Sequence, residues 1–354
     1  MNLFRRIRQS ISSSSPMTTK RILLLSSLRH GSGNSATAER IAYELELSNK
    51  FLVDCLSVDA PQTELNSLST CIRQYAAVLA LHVYRTGLIL SSIYKDGEND
   101  LPPLILIFAG TDLHSCEPKW IPTMEYIIPR AKGLVCFNHE WKKHVETTYH
   151  NLLPCKITVI PQAVLLSPFI FEEMPISIEK KIILWVGEIR AVKDPIFAMR
   201  FLSHLNNNNY QLFLIGQQTD STLSEYIRST YSRLNFTFLG VQSQSFVHTF
   251  MQTAFAYLNT SINEGMCLTI LEAMTLGVPV LARRNSGNTN LIKHGKTGLL
   301  FDTPDEAVQC LIELDNSTKL RYSLVRQGED YVRKTHLLAM ESKSYRNLLS
   351  NLMK

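Results

Sequence analysis

The chain has 354 residues, 45% of them hydrophobic and 19% charged, with a formal net charge of +5. That length exceeds one ordinary core and predicts two domains of roughly 150 residues each. No run of like charge is longer than a pair such as Lys142-Lys143 or Arg283-Arg284, which argues against nucleic acid as a partner, and no apolar stretch reaches the ~18 residues of a membrane span.

Residues 1–19 form a basic, Ser-rich leader, expected to be disordered. Six Arg and Lys precede the first acid, Glu39, which makes a mitochondrial address the alternative to a cytoplasmic one. The seven cysteines are scattered, odd in number and never spaced C-x-x-C. They read as reduced thiols, with neither disulfides nor a metal site.

Beyond the leader, short apolar runs alternate with amphipathic stretches, the pattern of βα units around a parallel sheet. Runs at 22–26, 51–56, 76–81, 104–108, 134–137 and 157–160 are apolar throughout, as strands covered on both faces are. A second series follows at 182–186, 210–215, 236–239, 255–258 and 278–282, and the chain past Pro304 reads as helical. Residues 167–180, with two prolines, read as a linker. The predicted domains are 20–166 and 181–330, with 331–354 a terminal helix. Segments 86–101 and 115–129 read as loops.

Gly31-Ser-Gly33-Asn34-Ser-Ala36 follows the first strand and opens a helix, and Asp54 lies 18 residues past Ala36. That is the layout of a dinucleotide-binding turn, in which glycines let backbone N–H groups reach a phosphate. On this half alone an NAD-dependent oxidoreductase is a rival.

The second half carries the sharper signal. Gly187-Glu-Ile-Arg190-Ala-Val-Lys193 leaves a strand for a helix and puts two cations where a diphosphate could be bracketed. Farther on, Glu264-Gly265-Met266-Cys267-Leu268 forms a turn into a helix bearing Glu272, which ends at Gly277 before the next strand. Glu264 would then lie beside the N–H groups of that helix, with Glu272 two turns along.

The E-x7-E block followed by Glu-Ala-Met-x-x-Gly-x-Pro-Val-Leu-Ala resembles the retaining glycosyltransferases of family 4. The likeness extends through Gly287-Asn288 and His294 to Phe301, and to His82-x-Tyr84-Arg85 and Gly110-Thr111-Asp112 in the first half. It implies the GT-B architecture, an α/β fold of two doubly wound Rossmann-like domains facing across a cleft. It further implies a metal-independent transfer of a hexosyl-type unit from a UDP- or GDP-sugar, with no other cofactor, to an acceptor that is a small molecule, glycan or protein. Glu264, Arg190 and Lys193 would be catalytic. Glu272 would bind ribose, with Gly265, Met266, Cys267, Leu268 and Gly187 around the donor and Gly31, Gly33 and Asn34 at its phosphates. His82, Gly110, Thr111 and Asp112 would lie on the acceptor side. Cys267, Glu188 and Asn290 depart from the family pattern, and a non-catalytic sugar-nucleotide-binding sensor or partner subunit is the alternative expectation.

Overall fold

The computed structural model describes residues 19–29, 32–95, 100–114, 117–167 and 180–353, without the side chains of Thr111 and His114. Nearly all of the basic leader and of the expected linker lies outside the described residues, as do Gly31 and His30. Two compact units emerge: one ending at Gln162 and regaining the chain from Leu338 onward, the other spanning Ala163–Leu337.

In the first unit the strands are β1 (Lys20–Ser26), β2 (Phe51–Ser57), β3 (Ala77–Leu81), β4 (Leu104–Ile107), β5 (Gly133–Cys136) and β6 (Ile157–Val159). Helices α1 (Gly33–Glu46), α2 (Gln62–Cys71), α3 (Val83–Leu90), α4 (Gly110–His114), α5 (Ile121–Ile127) and α6 (His139–Thr148) connect them. The sheet order is β2-β1-β3-β4-β5-β6, all parallel. Strands β3, β4 and β5 are buried along their whole length, as their unbroken apolar sequences require.

The second unit contains β7 (Lys181–Val186), β8 (Tyr210–Ile215), β9 (Phe236–Gly240), β10 (Ala256–Asn259), β11 (Val280–Arg283) and β12 (Leu299–Phe301). Its helices are α7 (Pro195–Leu205), α8 (Ser221–Thr230), α9 (Gln244–Gln252), α10 (Leu268–Thr275), α11 (Ser286–Leu291), α12 (Pro304–Asn316) and α13 (Thr318–Thr335). The parallel order β12-β11-β10-β7-β8-β9 reverses direction between β7 and β10. One face of this sheet is covered by Phe201 and Leu202 of α7 with Leu311 and Leu314 of α12. The other is covered by Phe250 of α9 and by Ile270, Leu271 and Met274 of α10. A doubly wound sheet needs both coverings, because its strands expose apolar side chains on both sides.

Three expectations need correction. β12, not among the expected strands, pairs with β11 through Leu281↔Leu299 to Arg283↔Phe301. Segments 86–101 and 115–129 are partly helical, since α3 runs into the first and α5 lies in the second. A Cβ on Gly87 would stand 3.0 Å from Thr123 and 3.3 Å from Ile127, so the glycine that reads as a breaker lets α3 and α5 approach closely. Asp54 stands mid-strand and is bonded by Arg21 at 2.5 and 3.1 Å, so its carboxylate is committed to a neighbouring strand.

The final helix, α14 (Leu338–Leu352), packs on α1 within the first unit. Arg40 of α1 donates to both carboxylate oxygens of Glu341, at 2.8 and 3.1 Å, and also to Gln162. Arg40, Glu44, Glu341 and Tyr345 are all buried there. Among the described residues no helix is long and apolar enough to cross a membrane.

Candidate active site

Where a doubly wound sheet reverses its strand order, the loops leaving the two central strands splay to opposite faces and open a crevice at their C-terminal ends. In the second unit those strands are β7 and β10. The loop after β7 is set by two glycines. A Cβ on Gly216 would stand 1.9 Å from the carbonyl oxygen of Gly187, and Gly216 has φ of +148°. Only glycine permits that crossing. The loop then makes one tight turn at Ala191–Lys193 and reverses at Asp194, whose left-handed backbone (φ 44°, ψ 61°) starts α7. The Asp194 carboxylate accepts from Phe197 N–H and from Arg283 at 2.8 Å. Thr260, just past β10, donates to the carbonyls of Lys193 and Asp194 and accepts from the Trp185 indole at 2.9 Å. The two loops are thus bonded to each other.

Glu264 stands in the loop after β10, its side chain 10% exposed, and three donors converge on its Oε1. They are Lys193 Nζ at 2.5 Å, Ser261 Oγ at 2.6 Å and Asn259 Nδ2 at 3.4 Å. Among the described residues Oε2 has no partner. Burial alone would push the carboxyl up, but the Lys193 charge and these hydrogen bonds outweigh it and hold Glu264 below its ordinary value. Burial likewise opposes the Lys193 ammonium, and the Glu264 charge outweighs it and holds Lys193 above its ordinary value. Behind them, Asn288 donates to Asn259 Oδ1 at 3.0 Å, and Asn285 donates to the Ser261 carbonyl at 2.8 Å. A Cβ on Gly287 would stand 2.1 Å from the Glu264 carbonyl oxygen, so α11 begins directly against the backbone of Glu264.

Helix α10 starts after Cys267 with no side-chain cap, so the N–H groups of its first turn keep their partial positive charge. Gly265 and Cys267 are buried, and Met266 and Leu268 half-buried. The Cys267 thiol accepts from Asn259 at 3.4 Å and is pushed up to about 11, chiefly by burial and then by the Glu264 charge. It is therefore a small packing group rather than a nucleophile. One turn into α10, Glu272 Oε1 is 3.5 Å from Nε2 of the buried His248. Arg190 Nε lies 3.3 Å from Glu188 Oε2.

Of the sequence-predicted residues, Lys193 and Glu264 are brought into direct contact; Gly187, Gly265 and Cys267 build the turns beside them, with Met266 and Leu268 packed on the core. In the first unit, Gly33 opens α1 with open space where a Cβ would be, and Asn34 follows it behind the cap Ser32. His82 ends β3 with φ of +78°, an uncommon conformation for a residue with a side chain. Its Nδ1 is 2.7 Å from Asp112 Oδ1. Asp112 also accepts the N–H groups of Val83, Tyr84 and Ala109 at 2.8, 3.1 and 2.9 Å. Its carboxylate is thus the cap of α3, with Gly110 two residues before it at the start of α4, and is fully engaged within the protein.

Sequence reasoning missed Asn259, Ser261, Asn288, Arg283 and His248. The polar triplet Asn259-Thr260-Ser261 at the end of an apolar strand was the available signal for the first two. His248 had none, since it lies in an ordinary amphipathic helix. Among the described residues no group of three or more His, Cys, Asp and Glu side chains gathers as metal ligands do.

Comparison with known proteins identifies the family. Residues 167–330 match the family described as glycosyl transferases group 1. Glycosyltransferase 1 domain-containing protein 1 of Xenopus tropicalis is 31% identical over 349 residues, covering 94% of this chain and 98% of the relative. N-acetyl-alpha-D-glucosaminyl L-malate synthase of Bacillus anthracis is 29% identical over 150 residues, 40% of this chain and 38% of that one. Among solved structures, Anabaena HepE in complex with UDP-glucose superposes with a TM-score of 0.76 at 13% identity, over 94% of this chain and all of that one (100%). Sucrose-phosphate synthase from Thermosynechococcus elongatus gives 0.76 at 13% identity over 94% and 99%. These structures share the GT-B fold, and with a relative matched over nearly the whole length of both proteins, the chain belongs to the group 1 glycosyltransferases.

Proposed function

We propose that this protein transfers a hexosyl-type sugar from a nucleoside-diphosphate sugar to a hydroxyl acceptor with retention of configuration and without a bound metal ion. The carrying observation is the contact of Lys193 with Glu264 beside the uncapped start of α10. The cation and the N–H groups there suit a diphosphate, and the carboxylate suits the hydroxyls of the attached sugar. In this reading the diphosphate takes Lys193 and the α10 N–H groups, Glu264 accepts from sugar hydroxyls, and Glu272 accepts from the ribose diol. Arg190 adds positive charge as the bond from the anomeric carbon to the phosphate breaks. The acceptor oxygen bonds to the same face of that carbon, its proton passes to the departing phosphate oxygen, and a nucleoside diphosphate leaves. Fixed cations and dipoles stabilise that developing charge. HepE is described with UDP-glucose, which makes UDP-glucose the first donor to test.

The test is thermal stabilisation and donor turnover across UDP- and GDP-sugars, on the wild type, Lys193→Ala and Glu264→Gln. One donor that stabilises the wild type and is hydrolysed or transferred, with both responses lost in the two variants, is expected. Stabilisation that survives in both variants would overturn the assignment of these residues.

The pairing of Arg190 with Glu188 favours one alternative, a sugar-nucleotide-binding protein that does not transfer, because it offsets one of the two cations. Tight donor binding with no hydrolysis or transfer would select it.

A further inference from the structure

His248 of α9 is fully buried, and the reaction outlined above does not use it. The N–H of Ser167 donates to its Nδ1 at 3.0 Å. That nitrogen must therefore present a lone pair, and the proton of the neutral ring lies on Nε2. Nε2 is shut off from solvent and has no hydrogen-bond partner among the described residues. It faces Glu272 Oε1 at 3.5 Å, too far for a formed bond, yet within reach after a few tenths of an ångström of side-chain movement. A histidine held only by packing would have no reason to have one nitrogen fixed by a backbone N–H and the other aimed at a carboxylate.

Glu272 has the complementary problem. Its side chain is 12% exposed and leaves α10 among the buried Leu271, Ala273 and Met274. A carboxylate that is to accept from two hydroxyls at once must hold both oxygens in one orientation, which freezes three side-chain rotations. A donor behind one oxygen supplies that restraint. It also keeps a negative charge tolerable beside an apolar core.

We propose that His248 is a positioning residue: its Nε2–H closes on Glu272 Oε1 and fixes the carboxylate that receives the ribose diol of the donor nucleotide. The inference rests on the reading of Glu272 as the ribose acceptor, and the experiment separates the two.

Binding of UDP, GDP and ADP, and of the 2′,3′-dideoxy form of whichever binds, is measured by calorimetry on the full chain. The proteins are the wild type, Glu272→Ala, His248→Phe, His248→Asn, His248→Gln and the Glu272→Ala/His248→Phe double variant. Glu272→Ala should weaken the ribonucleotide by about tenfold or more and abolish the preference over the dideoxy form. His248→Phe should weaken it by about five- to tenfold, mostly by erasing the same preference. His248→Asn can still accept from Ser167 but is too short to reach Glu272, and should behave like His248→Phe even if the phenyl variant fails to fold. His248→Gln, which carries an N–H at the Nε2 position, should restore binding to within about threefold. The double variant should bind no more weakly than Glu272→Ala alone. Wild-type affinity in His248→Asn, with Glu272→Ala weakened, would overturn the positioning role and leave the ribose reading standing. Equal weakening of ribo- and dideoxynucleotide by the His248 variants would also overturn it, as a packing effect. If Glu272→Ala binds like the wild type, or no nucleotide binds, the ribose reading fails and takes the inference with it.

Discussion

Lys193 Nζ and Glu264 Oε1 stand 2.5 Å apart although 71 residues separate them in the chain. The pair joins the two loops at the strand-order reversal of the second unit, and each partner shifts the other toward its charged form. Its contribution has a defined pH window. Glu264 is held below 4.5, so its share is present above that value and lost as pH falls through the lowered one. Lys193 is held above 10.5, so its share is lost only as pH rises through the raised value. Lys193→Ala should lower stability by about 1–3 kcal/mol near neutral pH and flatten the loss toward acid. Urea unfolding at several pH values reads this directly; an unchanged acid limb would refute it. Turnover, once a donor is identified, should drop by about 10²–10³.

The glycines beneath this pair have little room. Gly287→Ala must displace the Glu264 backbone and Gly216→Ala that of Gly187, since the added carbons would stand 2.1 and 1.9 Å from carbonyl oxygens. Each should cost about 2–4 kcal/mol and reduce nucleotide binding. Gly240→Ala is the control. Its φ is +69° but nothing lies within 4 Å of the new carbon, so only about 1–2 kcal/mol of backbone strain is expected. If Gly287→Ala proves as mild as Gly240→Ala, the packing account is wrong.

Glu44 shares the buried cluster that docks α14 on α1. Burial first, then the Glu341 charge, raise its carboxyl to about 10, with Arg40 pulling it down. From its ordinary 4.5 up to that raised value, folding must therefore take up a proton, and stability declines as pH rises across the window. Glu44→Gln removes the penalty. Its melting temperature should exceed that of the wild type at about pH 8 and match it in mild acid. A variant no more stable than the wild type in alkali would show that Glu44 is ionised in the fold.

Asp112 accepts three backbone N–H groups and faces His82 Nδ1. Asp112→Ala leaves those buried donors unpaired and should cost about 2–4 kcal/mol, with Asp112→Asn intermediate. Differential scanning calorimetry distinguishes this cap from a residue poised for a substrate, whose removal would leave stability unchanged or improved.

Much of this protein was legible in its sequence. Parallel strands buried on both faces leave unbroken apolar runs, which is why nearly every strand could be located, the short β12 being the exception. The E-x7-E block and the cation-bearing loop after β7 are local patterns, and local patterns survive in one dimension. The sequence could not say that Lys193 would meet Glu264, because that contact depends on β7 and β10 being neighbours. Nor could it show that Asp54 belongs to Arg21, that Asp112 caps a helix begun 29 residues earlier, or that His248 lies behind Glu272. Hydrogen bonding and charge compensation act over a few ångströms in space, and chain order alone does not supply those distances.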